Sequence, residues 1–214
     1  MLELYHAPRA CSLAVACLLR QLDVPFTLHR VDLQQGEQRT PAFLRLNPLG
    51  QVPVLVDGEQ VLTQVGAILN YLVRGHGAAT LSPLANAQQA EVERWQGFFS
   101  STLHPQFALV WRPERFCDDE AAWPAIRATG LKKLAASFAD LDTHLADRDY
   151  YAADTLTQAD FYALPLTTWA GRLLPEQLRP YPHVSAHLDR MLALPSVQAI
   201  LAETGLSREA LLAP

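Results

Sequence analysis

The hydrophobic periodicity of this chain changes near residue 86, and that change limits the folds open to it. Before residue 86, short strand-like apolar runs alternate with stretches of helical spacing, in the predicted order βαβαββα. After it, apolar residues keep helical spacing between breaks at proline, glycine and aspartate. The pattern predicts an α/β domain over residues 1–78 and an all-α domain over residues 87–214, joined by a linker of glycine, proline and small residues.

Local signals place the elements within each half. In the first half we expect strands over residues 2–5, 26–31, 52–56 and 60–62 and helices over residues 11–22, 41–46 and 65–72. In the second half the spacing predicts one long helix over 92–110, another over 131–145 and two more near the end. The clearest helix start is at residues 156–161, where Thr157 is placed to cap the helix, Asp160 to reach back to the cap, and Leu156 to pack on Phe161.

Charge and cysteine content exclude several functional classes. The formal net charge is −5, so no global basic field attracts nucleic acid. The three cysteines, Cys11, Cys17 and Cys117, have no CxxC spacing, which indicates neither a disulfide framework nor a zinc site and favours a reducing compartment. No apolar run approaches the roughly 18 residues of a membrane span. We therefore expect a soluble cytoplasmic protein with no metal and no membrane or nucleic-acid partner.

Five motifs, in order along the chain, carry a family resemblance. They are Ala10-Cys11-Ser12-Leu13-Ala14, the nine residues Asn-Pro-Leu-Gly-Gln-Val-Pro-Val-Leu at 47–55, Leu62-Thr63-Gln64, the stretch from Leu103-His104 to Trp111-Arg112-Pro113, and the capping segment at 156–161. Together they closely resemble the cytosolic glutathione transferases, most nearly the bacterial beta class. The resemblance implies a thioredoxin-like amino-terminal domain that binds glutathione as co-substrate, an all-helical domain that shapes a pocket for a small apolar electrophile, and a homodimer.

Cys11 is the first candidate for the chemistry. A thiol in the first turn of a helix faces the positive end of the helix dipole, which predicts a lowered pKa and a reactive thiolate. The apolar stripe that Cys11 shares with Val15, Leu18 and Leu22 leaves open that it is a small core residue. The resemblance places it at the beta-class cysteine beside the glutathione sulfur. Because Ala14 stands three residues on, where a resolving cysteine would be, any exchange must be monothiol.

Three other side chains are candidates for contact with the glutathione sulfur. Ser12 and Tyr5 are included because other classes of the family use a serine or tyrosine hydroxyl, although Tyr5 also suits packing on the sheet. His104 matches the beta-class histidine that faces the sulfur, which implies a proton acceptor or thiolate partner. It shares a face of small side chains with Ser101, and Pro105 should kink the helix beside it.

The resemblance also implies the residues that bind glutathione. A cis bond between Val52 and Pro53 would expose the Val52 backbone to pair with the cysteinyl unit, as an added strand. Gln64 and the backbone N–H of Val65 would bind the γ-glutamyl end, and Ser101 would lie at the site. Four positions depart from the family pattern and predict weaker binding. They are Leu49, Val65, Gly97 and Pro105.

The second-substrate pocket and the reaction stay open at this stage. Phe107, Trp111 and Arg112 could line an apolar pocket with one cationic corner, as could Phe116 and Trp169, but such aromatic residues are also typical of a core. A transferase or thiol-transferase using Cys11 is the main hypothesis. The alternatives are a glutathione-dependent isomerase, dehalogenase or reductase that uses Ser12, and a non-enzymatic binding protein on the same fold.

Overall fold

The computed structural model describes residues 1–77, 81 and 83–213. The strands are β1 (Leu2–His6), β2 (Phe26–Arg30), β3 (Val54–Asp57) and β4 (Gln60–Thr63). The helices are α1 (Leu13–Gln21), α2 (Pro41–Leu46), α3 (Val65–His76), α4 (Asn86–Phe98), α5 (His104–Trp111), α6 (Trp123–His144), α7 (Gln158–Leu173), α8 (Pro182–Ala193), α9 (Pro195–Glu203) and α10 (Arg208–Leu212). A sheet-containing first half followed by a helical second half confirms the predicted fold class.

The four strands form one mixed sheet in the order β2-β1-β3-β4. β1 runs parallel to β2 and antiparallel to β3, which pairs with β4 as a hairpin. The hairpin turns at Gly58, whose φ of +59° is in the left-handed region that glycine adopts at little cost. Leu2 and Leu4 of β1 point to the same face, where they join the core around α1, because side chains alternate along a strand.

Helix α1 joins the two halves of the molecule. Every residue from Leu13 to Leu19 is fully buried. The helix packs on α3 of the first half and on α7 and α9 of the second, so one continuous hydrophobic core runs through both. The loop before α1 is thereby held between the sheet and α7.

The capping prediction at residues 156–161 is confirmed. Oδ2 of Asp160 accepts hydrogen bonds from the backbone N–H of Thr157 (2.8 Å) and from its hydroxyl (3.0 Å). Oδ1 accepts from the backbone N–H of Tyr151 and from Nε2 of His187, both at 3.0 Å. Asp160 and His187 are both buried, so this one carboxylate links the start of α7 to the preceding loop and to α8.

Several predicted boundaries are wrong. The helix predicted over 92–110 is divided by a π-helical segment, Phe99–Leu103, because Pro105 has no N–H to continue the ordinary helical pattern. The first helix begins at Leu13 rather than at residue 11, and β3 begins at Val54 rather than at residue 52. Residues 78–80 and 82 of the predicted linker lie outside the described residues, so the domain limits at 78 and 87 remain predictions. In the described part of the chain, no helix combines the length and apolarity that crossing a membrane requires.

Candidate functional site

The loop before α1 and the loop before β3 meet at Cys11. Cys11 lies one residue before Ser12, the N-cap of α1, and its thiol donates to the carbonyl oxygen of Val52 with an S···O distance of 3.6 Å. The peptide bond between Val52 and Pro53 is cis, as the resemblance implied. The fold therefore brings together two of the predicted site residues, one from each loop.

The predicted lowering of the Cys11 pKa is wrong for this structure. Burial raises the pKa of the thiol to about 12, although the backbone N–H groups of Cys11 and Ser12 act in the opposite direction. The prediction placed Cys11 in the first helical turn, whereas it precedes the N-cap. Desolvation of the sulfur therefore outweighs the stabilising N–H groups, and Cys11 is a neutral thiol at neutral pH.

The side chain of Ser12 makes its contacts within the loop between β1 and α1. Its side chain is fully buried, and Oγ lies 2.9 Å from Nδ1 of His6. The same Oγ accepts from the backbone N–H of Ala7 at 3.2 Å. These contacts hold the loop between β1 and α1, and a role of Ser12 at the glutathione sulfur stays a prediction.

His6 should make the protein less stable in acid. Burial lowers the pKa of His6 to about 4, with a smaller contribution from the Arg30 charge. Below pH 6.5 His6 therefore binds a proton in the unfolded chain but stays neutral in the folded chain. The free energy of unfolding falls by about 3 kcal/mol as the pH drops from 6.5 towards 4. Urea unfolding at pH 7 and 4.5 should show a smaller pH-dependent loss in His6→Asn than in the wild type. His76→Asn, at an exposed histidine, should keep the wild-type loss. An unchanged pH dependence in His6→Asn would contradict the prediction.

His104 is the first residue of α5, directly after the π-helical segment. It is half-buried, and its ring packs edge-on against Trp169 with the centroids 5.0 Å apart. Burial lowers the pKa of His104, so its imidazole is neutral at neutral pH and can accept a proton. Ser101, within the π-helical segment, is exposed, and its hydroxyl donates to the Gly97 carbonyl at 2.7 Å. A contact of Ser101 with glutathione stays a prediction.

An aromatic wall, formed by Trp169, Trp111 and His104, stands beside the Cys11 loop. Nε1 of Trp169 donates to the carbonyl oxygen of Arg9 at 2.7 Å, which ties α7 to this loop. Trp111 packs edge-on against Trp169 with the centroids 5.2 Å apart, and it is 40% exposed. Trp169 is buried, so Trp111 and the half-buried His104 supply the exposed apolar surface of this wall.

Two of the predicted pocket residues have other roles. Phe107 is fully buried, and its ring packs against Trp111 and Trp169 on the side away from solvent instead of lining a pocket. Arg112 is exposed and pairs with Glu114 at 3.5 Å, so it forms no cationic corner beside the wall. Sequence reasoning missed Arg9, whose backbone carbonyl accepts from Trp169. The Arg9 guanidinium donates to the Ala210 carbonyl of α10, a contact that no local sequence pattern predicts.

The start of α3 carries a strained residue. Gln64 has φ +70° and ψ +120°, a conformation that costs a non-glycine residue about 1–3 kcal/mol and that collects at ligand-binding positions. It precedes the first turn of α3, whose backbone N–H groups have no partner within the helix and suit a carboxylate. The Val65 side chain is buried, which leaves only its backbone N–H for binding.

Tyr5 is not brought together with Cys11. Its ring stacks on His29 with the centroids 4.7 Å apart and meets Phe43 edge-on at 6.1 Å. These residues lie in a small second core with Val31 and Val54, on the opposite face of the sheet from α1. These contacts favour a packing role for the Tyr5 side chain, and its contact with glutathione stays a prediction.

Tyr162 is a neighbour of Cys11 that the sequence did not reveal. It lies in α7, is buried, and has a pKa raised first by burial and then by the charge that Cys11 carries when ionised. Only the packing of α7 on α1 places it there. Across residues 1–77, 81 and 83–213, no three His, Cys, Asp or Glu side chains come close enough together to hold a metal ion.

Comparison with known proteins identifies the family. A model described as "Glutathione S-transferase, N-terminal domain" matches residues 1–74, and one described as "Glutathione S-transferase, C-terminal domain" matches residues 117–195. Glutathione S-transferase GST-4.5 of Xanthomonas campestris is 35% identical over 207 residues, which cover 96% of this chain and 100% of that protein. The chain belongs to the glutathione S-transferase family. It is thus an enzyme, and the family predicted from the motifs is confirmed.

Solved structures of other members have the same fold as this glutathione S-transferase. A sphingomonad glutathione S-transferase complexed with glutathione superimposes with a TM-score of 0.83 at 29% identity, covering 96% of this chain and 100% of that one. A structure titled "Bacterial beta class Sphingomonas chungbukensis Glutathione S-transferase" superimposes with a TM-score of 0.83 at 27% identity, with the same coverage.

Proposed function

We propose that this glutathione S-transferase is of the beta type and uses Cys11 at the glutathione sulfur, in conjugation of glutathione to an electrophile, in monothiol-disulfide exchange, or in both. The observation that carries the proposal is the 3.6 Å contact between the Cys11 thiol and the Val52 carbonyl. It puts the one half-buried thiol of the α1 loop beside the backbone at which the family binds the cysteinyl unit of glutathione. The similarity to a structure named beta class supports the assignment.

Each half of the chain binds one of the two substrates. The first, residues 1–78, binds glutathione through the backbone of Val52 next to Pro53, the Gln64 amide and the N–H groups at the start of α3. The strain at Gln64 supports this role. The second, residues 87–214, shapes the pocket for the other substrate. The aromatic wall beside Cys11 suits a small apolar electrophile.

The exchange reaction uses a single protein thiol, because Ala14 stands where a resolving cysteine would be. The Cys11 thiolate attacks one sulfur of a glutathione mixed disulfide, forming a new S–S bond to glutathione while the original bond breaks and the departing thiolate takes a proton. A second glutathione thiolate then attacks the mixed disulfide on Cys11, releasing glutathione disulfide and restoring the cysteine. In conjugation, the glutathione thiol gives its proton to the neutral imidazole of His104. The resulting thiolate then forms a C–S bond to the electrophilic carbon, while the leaving group departs with the electron pair of the bond that breaks.

The burial of the Ser12 hydroxyl against His6 and Ala7 favours Cys11 over Ser12 as the group at the glutathione sulfur. Membership of the glutathione S-transferase family decides against the non-enzymatic hypothesis, and the departures from the family pattern bear on the affinity for glutathione.

Glutathione should bind weakly. Each missing hydrogen bond to a charged group costs about 1.5–3 kcal/mol, so calorimetric titration should give a dissociation constant near the millimolar range, about −4 kcal/mol. Leu49 is 58% exposed and stands where the family often has a basic residue, so Leu49→Lys should tighten binding several-fold. Leu33→Lys, at another exposed leucine, is the matched control and should not. Absence of binding at tens of millimolar would contradict the proposed glutathione site.

We also propose a homodimer in the cytoplasm. The family pairs each helical domain with the glutathione-binding domain of a second subunit, and three free cysteines suit a reducing compartment. Light scattering at micromolar concentration should give a particle of twice the 23.7 kDa chain mass. A particle of the single-chain mass would contradict the dimer.

A further inference from the structure

Cys11 and an incoming glutathione need the same acceptor. The thiol donates to the Val52 carbonyl oxygen at 3.6 Å. Under the proposed function, that oxygen accepts the backbone N–H of the cysteinyl unit when glutathione docks along Val52 as an added strand. A thiol is a weak donor and a peptide N–H is a strong one. Docking therefore weakens or replaces the hydrogen bond that holds the thiol proton.

The other polar groups around the sulfur favour the anion. The backbone N–H groups of Cys11 and Ser12 are directed at it. Tyr162 of α7 lies close enough for its charge to interact with that of Cys11, and Arg9 lies in the same loop. His6, below the loop, is neutral above pH 4 and adds no charge there. Burial of the sulfur opposes its negative charge most strongly. Among the groups around the sulfur, the Val52 carbonyl is the acceptor that stabilises the neutral thiol.

We propose that glutathione docking on Val52 activates Cys11: the peptide N–H competes for the carbonyl oxygen, the hydrogen bond from the thiol weakens, and the thiol gives up its proton more readily. The inference rests on the proposed function, because it needs glutathione at this backbone. Without the peptide, Cys11 is an unreactive thiol. Reactivity therefore depends on occupancy of the site and is not a fixed property of the α1 loop.

The test measures the titration of Cys11 with and without a docked peptide. Ophthalmate keeps the backbone of glutathione but has no sulfur, so it can pair with Val52 without forming a disulfide. The ¹³Cβ shifts of labelled cysteines, assigned by single replacements, report ionisation without a reagent that needs access. We expect the pKa of Cys11 to fall by at least one unit, a tenfold change, in saturating ophthalmate. Cys17, buried in α1 away from the site, should not change and serves as internal control.

A pair of variants tests the competition separately. Cys11→Ala removes the donor to Val52, so ophthalmate should bind about three- to tenfold more tightly than to the wild type in calorimetry. Cys11→Ser keeps a donor at the same position and should show no gain. Ophthalmate that binds without moving the Cys11 titration, or equal affinities of all three proteins, overturns this inference and leaves the proposed function standing. No ophthalmate binding at all overturns both.

Discussion

Replacement of Cys11 by alanine is expected to lower glutathione-dependent disulfide exchange by roughly 10³-fold or more, because it removes the only sulfur that can carry the mixed disulfide. Cys17 is fully buried and Ala14 occupies the resolving position, so no neighbour in α1 can substitute. Turnover of a glutathione mixed disulfide, coupled to reduction of the released glutathione disulfide, measures the loss. Binding of the sulfur-free peptide should persist or tighten, which separates loss of chemistry from loss of the site.

Two further variants serve as controls for the effect of Cys11→Ala. Cys117→Ala removes a half-buried cysteine far along the sequence from the α1 loop and should keep wild-type exchange. Ser12→Ala should lower stability, because His6 and Ala7 lose their partner, while the folded fraction keeps most of its activity. If Ser12→Ala inactivated a well-folded enzyme and Cys11→Ala did not, the protein would use a serine at the glutathione sulfur and the beta-type assignment would be wrong.

Replacement of Asp160 by alanine should cause the largest loss of stability. Asp160 is fully buried and accepts hydrogen bonds from Thr157, Tyr151 and His187, so its removal leaves several buried donors without a partner. Each buried donor left without a partner costs about 1–3 kcal/mol, so the loss should lower Tm by roughly 10 °C or more for a chain of this size. Thermal and urea unfolding measure the change.

The variants Asp160→Asn and Asp140→Ala test the cause. Asparagine keeps one acceptor oxygen, so it should lose less stability than alanine does. Asp140 is exposed on α6, and its replacement should change the free energy of unfolding by no more than about 0.5 kcal/mol. A loss in Asp160→Ala no larger than that in Asp140→Ala would show that the buried network contributes little.

Much of this protein could be predicted from its sequence because the deciding interactions are local. The period of apolar residues specified the order of strands and helices, and Thr157 and Asp160 lie within one helical turn of each other, so their mutual capping was visible in the sequence. The family motifs likewise located Cys11, Val52 and Gln64. The cis bond at Pro53 and the unusual backbone at Gln64 occur where those motifs placed the glutathione site.

What the sequence could not determine is the environment of each of these groups. Trp169 meets the Arg9 carbonyl across 160 residues, and Tyr162 lies near Cys11 only because α7 packs on α1. The direction of the Cys11 pKa shift depends on how much protein surrounds the sulfur. The sequence indicated a dipole that lowers the pKa, whereas the folded chain adds a desolvation that raises it more. Local spacing thus determined the elements and the candidate residues. Only the tertiary structure decided which of them meet and which protonation state they hold, because burial is a property of the whole packed chain.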